Sequence, residues 1–169
     1  MQKVKEAIAG KGLGKEALEV AEILYDQRFR DQILTDAISC LEHFHPTYDS
    51  VSTLGFCLGG GLSLNVAVNS NHTCSAISFY GEPPKKKEDV AKTSSPLLVI
   101  YAAEDEIINA KVPAFVESAL DSGKDLTLRI YPSTRHGFFN NTKGSLYKEA
   151  AAKDAWELTK QFLRRTTRQ

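Results

Sequence analysis

Gly55-Phe56-Cys57-Leu58-Gly59-Gly60-Gly61 lies between the apolar run 51–56 and a helix-like stretch at 62–68. How this heptapeptide is read decides the fold. A strand that turns sharply into a helix while holding one side chain out of the turn needs small flanking residues, because the two backbones must approach closely. Gly55 and Gly59 meet that demand, and Cys57 between them has the position of a nucleophile on an elbow. A thiol placed there sits at a helix N-terminus, where unpaired N–H groups and the positive end of the macrodipole favour thiolate over thiol. The competing reading of a glycine-rich strand-to-helix loop is a phosphate cradle or a plain tight turn. Phosphate is the weaker rival, since neither G-x-G-x-x-G nor G-K-[ST] is present.

Working outward, strands are expected at 51–56, 75–80, 96–102 and 126–131, and helices at 58–69, 111–120 and 145–164. Apolar residues at helical spacing (Leu18, Ala21, Leu24 and Tyr25, then Ile33, Leu34, Ala37, Ile38, Leu41 and Phe44) predict two earlier helices over 16–30 and 31–44. Pro46 ends the second. Segment 81–95, with Lys85-Lys86-Lys87 followed by Glu88-Asp89, reads as a charged loop. Alternating strands and helices imply a parallel sheet with right-handed crossovers, an α/β fold. Glu104-Asp105-Glu106 follows the third strand, and Ser133-Thr134-Arg135-His136-Gly137 follows the fourth. Asp105 and His136 thus fall just past strand C-terminal ends, the edge of an open parallel sheet where ligands gather. With Cys57 they give nucleophile, acid and base in the chain order of α/β-hydrolases.

On these motifs the segment 36–162 resembles the C-terminal two-thirds of the dienelactone hydrolase family. That family carries a G-[FY]-C-[LM]-G-G elbow, an acid after the next-but-one strand, and a G-H-[GS]-F-like histidine loop; here stand Gly55-Phe56-Cys57-Leu58-Gly59-Gly60, Glu104-Asp105 and Arg135-His136-Gly137-Phe138. Separations of 48 residues from Cys57 to Asp105 and 31 from Asp105 to His136 are similar to the family's. The resemblance implies an α/β-hydrolase-like parallel sheet of about four strands with flanking helices, the N-terminal strands of the full fold being missing. It implies one domain over 1–169, with a helical segment at 1–45 and a catalytic core at 50–165, and neither cofactor nor metal.

The implied chemistry is hydrolysis of an ester, thioester or lactone through an acyl-enzyme. Cys57 attacks, His136 moves the proton, Asp105 orients the imidazole, and the Leu58 N–H is an oxyanion-hole donor. Glu104 and Glu106 flank Asp105 on the expected solvated rim. Tyr80, at the end of the second strand, and Phe138, after the histidine, are candidate substrate contacts; apolar residues such as Phe138 and Phe139 also commonly pack a loop on the sheet. The family's second oxyanion donor and a glutamate touching the resting cysteine come from its N-terminal part, and its two carboxylate-binding arginines fall near Lys15 and at Asn140 here. One missing oxyanion donor typically costs about 10²–10³ in rate. The alternative is therefore a shortened, non-catalytic or regulatory relative that binds a partner chain through the uncovered sheet edge. Lost strands leave apolar sheet surface that a homodimer, or the helices before residue 36, would cover.

Composition narrows the classes further. The chain has 169 residues, 42% hydrophobic and 25% charged, with Lys+Arg and Asp+Glu both 21. That is enough for one core, and zero net charge without a basic stripe argues against nucleic acid. Cys40, Cys57 and Cys74 lack C-x-x-C spacing, so neither a disulfide framework nor a zinc knuckle is expected. His43 and His45 point to different helix faces and His72 lies in a polar turn, which argues against a metal. With no long apolar stretch and a charged start, a cytoplasmic protein without a membrane partner is expected, and the sequons at Asn71 and Asn140 are chance matches.

Overall fold

The computed structural model describes residues 20, 22–24 and 26–167. Two compact units divide the chain, 1–37 and 38–169. In the first, Asp26 Oδ1 accepts the N–H groups of Arg28 at 2.9 Å and Phe29 at 3.2 Å and so caps the start of helix α1 (Gln27–Phe44). No break occurs at residues 30 and 31, where two helices were expected to meet. Asp31 instead accepts from Gln27 at 2.7 Å, a pair one turn apart on the helix surface. Of the expected helix over 16–30, residues 20 and 22–24 are helical, Asp26 is not and 27–30 already belong to α1, while 16–19, 21 and 25 lie outside the described residues. α1 runs into the second unit and ends two residues before Pro46.

The second unit holds β1 (Thr53–Phe56), α2 (Leu58–Asn69), β2 (Ala76–Phe79), α3 (Lys87–Lys92), β3 (Leu97–Ala102), α4 (Glu106–Asn109), α5 (Val112–Asp121), β4 (Leu126–Tyr131) and α6 (Glu149–Thr166). The four strands form one parallel sheet in the order β1-β2-β3-β4, as the alternating pattern implies. All six residues of β3 are buried, because helices cover both faces. Leu97, Val99 and Tyr101 face one cluster with Leu64, Val90 and Phe115; Leu98, Ile100 and Ala102 face the other with Phe138, Ala155 and Phe162. The period of two along one strand therefore divides the core between α2, α3 and α5 on one side and α6 on the other.

Two elements depart from expectation. The charged loop contains α3, whose first-turn Glu88 and Asp89 and last-turn Lys92 suit the helix dipole, and whose Val90 packs into the core. The final helix starts at Glu149 rather than 145, since Gly144–Leu146 form a separate 3-10 turn and Tyr147 is extended.

Candidate active site

β1 delivers Cys57 to the C-terminal edge of the sheet, where its N–H still donates to the Phe79 carbonyl at 2.9 Å. Its backbone then turns to φ 55°, ψ −119°, unusual for a non-glycine residue. The Cys57 carbonyl accepts from Gly60 and Gly61 at 3.0 and 3.2 Å, starting α2 directly. A Cβ on Gly55 would fall on the Gly59 carbonyl, as the elbow pattern demands. Gly59 itself is different: a Cβ there would meet nothing within 4 Å. The second tight glycine is Gly60, whose Cβ would stand 2.8 Å from Ser78 Oγ and 2.9 Å from the Phe79 carbonyl. What presses on the elbow is the end of β2, not the preceding strand alone.

Asp105 and His136 arrive from the next two strand ends. Asp105 is 7% exposed, whereas Glu104 is half exposed and paired to Arg135 at 3.0 Å. Its Oδ1 accepts the Ile108 N–H at 3.3 Å, capping α4, and its Oδ2 lies 2.6 Å from His136 Nδ1. Two backbone bonds, Ala103 N–H to Tyr131 O at 3.0 Å and Glu104 N–H to Thr134 O at 2.9 Å, hold the acid loop to the histidine loop. The other imidazole nitrogen, Nε2, lies 3.0 Å from Cys57 Sγ. Residues 57, 105 and 136 thus form one hydrogen-bonded line, with the sulfur on the open side.

Electrostatics follow from that line. The His136 pKa is pushed up to about 9, first by the hydrogen bond to Asp105 and then by that to Cys57. The Cys57 thiol is pulled below its usual 9.0, chiefly by the hydrogen bond to His136, with help from the Leu58 N–H and the Lys143 charge against the opposing effect of burial. Each partner favours the charged form of the other. The Leu58 N–H is turned to the sulfur.

The remaining expected site residues divide. Tyr80 is at the site, its ring centroid 4.9 Å from that of His136. Phe138 is fully buried between Tyr80 and Tyr131, so it presents no surface to a ligand and packs the loop instead. An open, mostly apolar groove of about 690 Å³ begins beyond Tyr80 and is lined by Leu54, Phe56, Phe139 and Trp156 among others. Sequence reading passed over Asn109, whose Nδ2 donates to Ala102 and Ala103 carbonyls at 2.8 and 3.1 Å and stiffens the acid loop. Asp105 followed by Glu106 is a helix-start signal that marks this turn. Lys143 was missed as well, and nothing local distinguishes it. Among the described residues no group of three or more His, Cys, Asp or Glu could hold a metal ion, and no helix is long and apolar enough to cross a membrane.

Known proteins are similar to this chain to different extents. A sequence model of the dienelactone hydrolase family matches residues 10–167. A Saccharolobus solfataricus protein named "Putative carboxymethylenebutenolidase" is 37% identical over 159 residues, covering 92% of this chain and 61% of that protein. "Protein usf" of Aquifex pyrophilus is 32% identical over 116 residues, covering 68% of this chain and 50% of its own length. The chain therefore spans less than two thirds of either relative. Among solved structures, MGS-M1, an α/β-hydrolase enzyme from a Medee basin deep-sea metagenome library, matches with a TM-score of 0.67 at 15% identity over 79% of this chain and 64% of that one. At that identity the likeness is one of fold.

Proposed function

Because the chain belongs to the dienelactone hydrolase family, we propose that it hydrolyses small-molecule esters, thioesters or lactones with Cys57, His136 and Asp105 as its catalytic triad. The observation that carries this reading is the unbroken line of contacts from Asp105 Oδ2 to His136 Nδ1, 2.6 Å, and from Nε2 to Cys57 Sγ, 3.0 Å. The sulfur attacks the carbonyl carbon as thiolate, and the C=O electrons move to oxygen, which the Leu58 N–H stabilises. Collapse breaks the bond to the leaving oxygen, which takes the Nε2 proton. Water then attacks the thioester while neutral His136 accepts its proton, and the thiolate leaves. Acylation removes the sulfur's negative charge, one cause of the raised imidazole pKa, so more of His136 is neutral in the acyl-enzyme and able to accept the water's proton.

The test is p-nitrophenyl acetate turnover alongside iodoacetamide labelling. We expect labelling of Cys57 to parallel loss of activity and Cys57→Ala to lose both. Turnover by Cys57→Ala at the wild-type rate would overturn the assignment. A free thiol nucleophile works where thiols stay reduced, so we place the protein in the cytoplasm.

A second reading rests on β1, which pairs only with β2 among the described residues and leaves Leu54 38% and Phe56 37% exposed. Such an edge suits a partner chain, a second copy in a homodimer being the assembly we propose. Labelling of Cys57 with no relation to turnover would favour a binding protein over an enzyme.

A further inference from the structure

We propose that Tyr80 is a positioning residue, a ring that walls the His136 imidazole and keeps it on the line between Asp105 and Cys57. This deepens the triad reading and rests on it. Along β2, Ile77 and Phe79 face the α6 side and Ser78 the α2 side, so an extended residue 80 would return to the α2 side. Tyr80 does not. Its φ is +42°, a left-handed conformation that a bulky side chain rarely adopts, and its ring joins Ile77 and Phe79 in the α6-side cluster.

The backbone enforces that turn from both ends. The Tyr80 N–H donates to the Ile100 carbonyl at 2.7 Å, holding the residue to β3. Gly81 follows, pressed on the first turn of α2 so closely that a Cβ there would fall on the Gly61 nitrogen. The ring thrown across by this turn is 4% exposed and braced by Phe138 at 5.7 Å and by Phe56 and Phe79, both at 6.3 Å. A strained, well-braced aromatic ring beside a half-open imidazole is a constraint that packing alone does not require. His136 is 38% exposed, and rotation about its χ2 would break both of its hydrogen bonds at once. Tyr80 blocks one side of that rotation.

The charged and titratable groups facing the imidazole are Asp105 at Nδ1, Cys57 at Nε2 with Lys143 beyond it, and Tyr80 itself. Burial first, and the Cys57 charge second, push the Tyr80 phenol up to about 12, so it adds no charge of its own in the working range. The ring therefore acts through His136 geometry.

The experiment is the pH dependence of iodoacetamide alkylation at Cys57 in wild type, Tyr80→Phe, Tyr80→Asn and His136→Ala. Asn removes the ring and tolerates the left-handed backbone. We expect Tyr80→Phe to overlay wild type and Tyr80→Asn to move the profile upward by about half to one pH unit, about 3- to 10-fold slower labelling on the acid side. Tyr80→Leu, which restores apolar volume, should move it likewise. A Tyr80→Asn profile coincident with wild type would overturn the proposal. If His136→Ala shifts the profile and Tyr80→Asn does not, only the role of Tyr80 falls; if neither shifts it, the Cys57–His136 pairing falls too. Should both ring-less variants fail to fold, the His136 Cε1–H resonance decides: a ring-current shift in wild type supports the contact, and its absence refutes it.

Discussion

Asp105 uses its two oxygens for two different partners, and this makes the residue scale testable. Oδ2 faces His136 and is the largest cause of its raised pKa, while Oδ1 caps α4. Asp105→Asn keeps a capping oxygen but gives His136 a neutral partner. We expect kcat to fall by about 10³–10⁴ with little change in thermal midpoint. Asp105→Ala should add about 1 kcal/mol of lost stability, because the cap goes too. Equal loss of stability in both would show that the cap is not separable. The sign of the pH effect on Cys57 follows from its partner: His136 lowers the thiol pKa, so alkylation should reach half its maximal rate below pH 9.0, and His136→Ala should move that midpoint upward. The convergence of Cys57, Asp105 and His136 was legible because each follows an apolar strand in a fixed order. Of the two roles open to Phe138, pocket wall or loop packing, its burial fits the second, since one residue's shift around the tight turn decides whether a ring faces the pocket or the core. Gly137 at φ 84° makes that turn.

At the element scale, the elbow is a packing problem between the first turn of α2 and the end of β2. Gly59→Ala should be neutral or stabilising by up to about 1 kcal/mol, since the added methyl meets nothing and glycine is a poor helix former. Gly60→Ala should cost about 1–3 kcal/mol, because its Cβ presses on the Phe79 backbone. Urea denaturation separates the two, and equal midpoints would show that the crowding is relieved at no cost. The motif G-x-C-x-G-G announced a tight approach without saying which glycine bears it. The answer depends on where β2 passes, a non-local fact. Strand positions were legible within two residues, because each is a short run rich in apolar and β-branched residues, those of β2 and β3 being buried on both faces. α3 was not, since one buried residue, Val90, anchors a six-residue helix of which four residues are charged.

Across the whole molecule, the described sheet ends at β1 with apolar side chains on its α6 side. Leu54, Phe56 and Trp156, the last 42% exposed, lie along one groove beside that edge. Apolar surface gathered in this way marks an interaction site. Sedimentation velocity should show concentration-dependent self-association that Leu54→Lys together with Trp156→Lys abolishes while the circular dichroism stays unchanged; a monomer at all concentrations would contradict the homodimer. The sequence pattern predicted a parallel sheet because strands and helices alternate, but pattern alone does not reveal what covers an edge. The chemistry of Cys57 remains the centre of the account. Its most direct test is mass spectrometry of the protein quenched in acid after milliseconds with p-nitrophenyl acetate: an acetyl adduct on the Cys57 peptide that forms and decays with turnover is the expected result. Turnover with no adduct there, or with acetyl only on another residue, would contradict it.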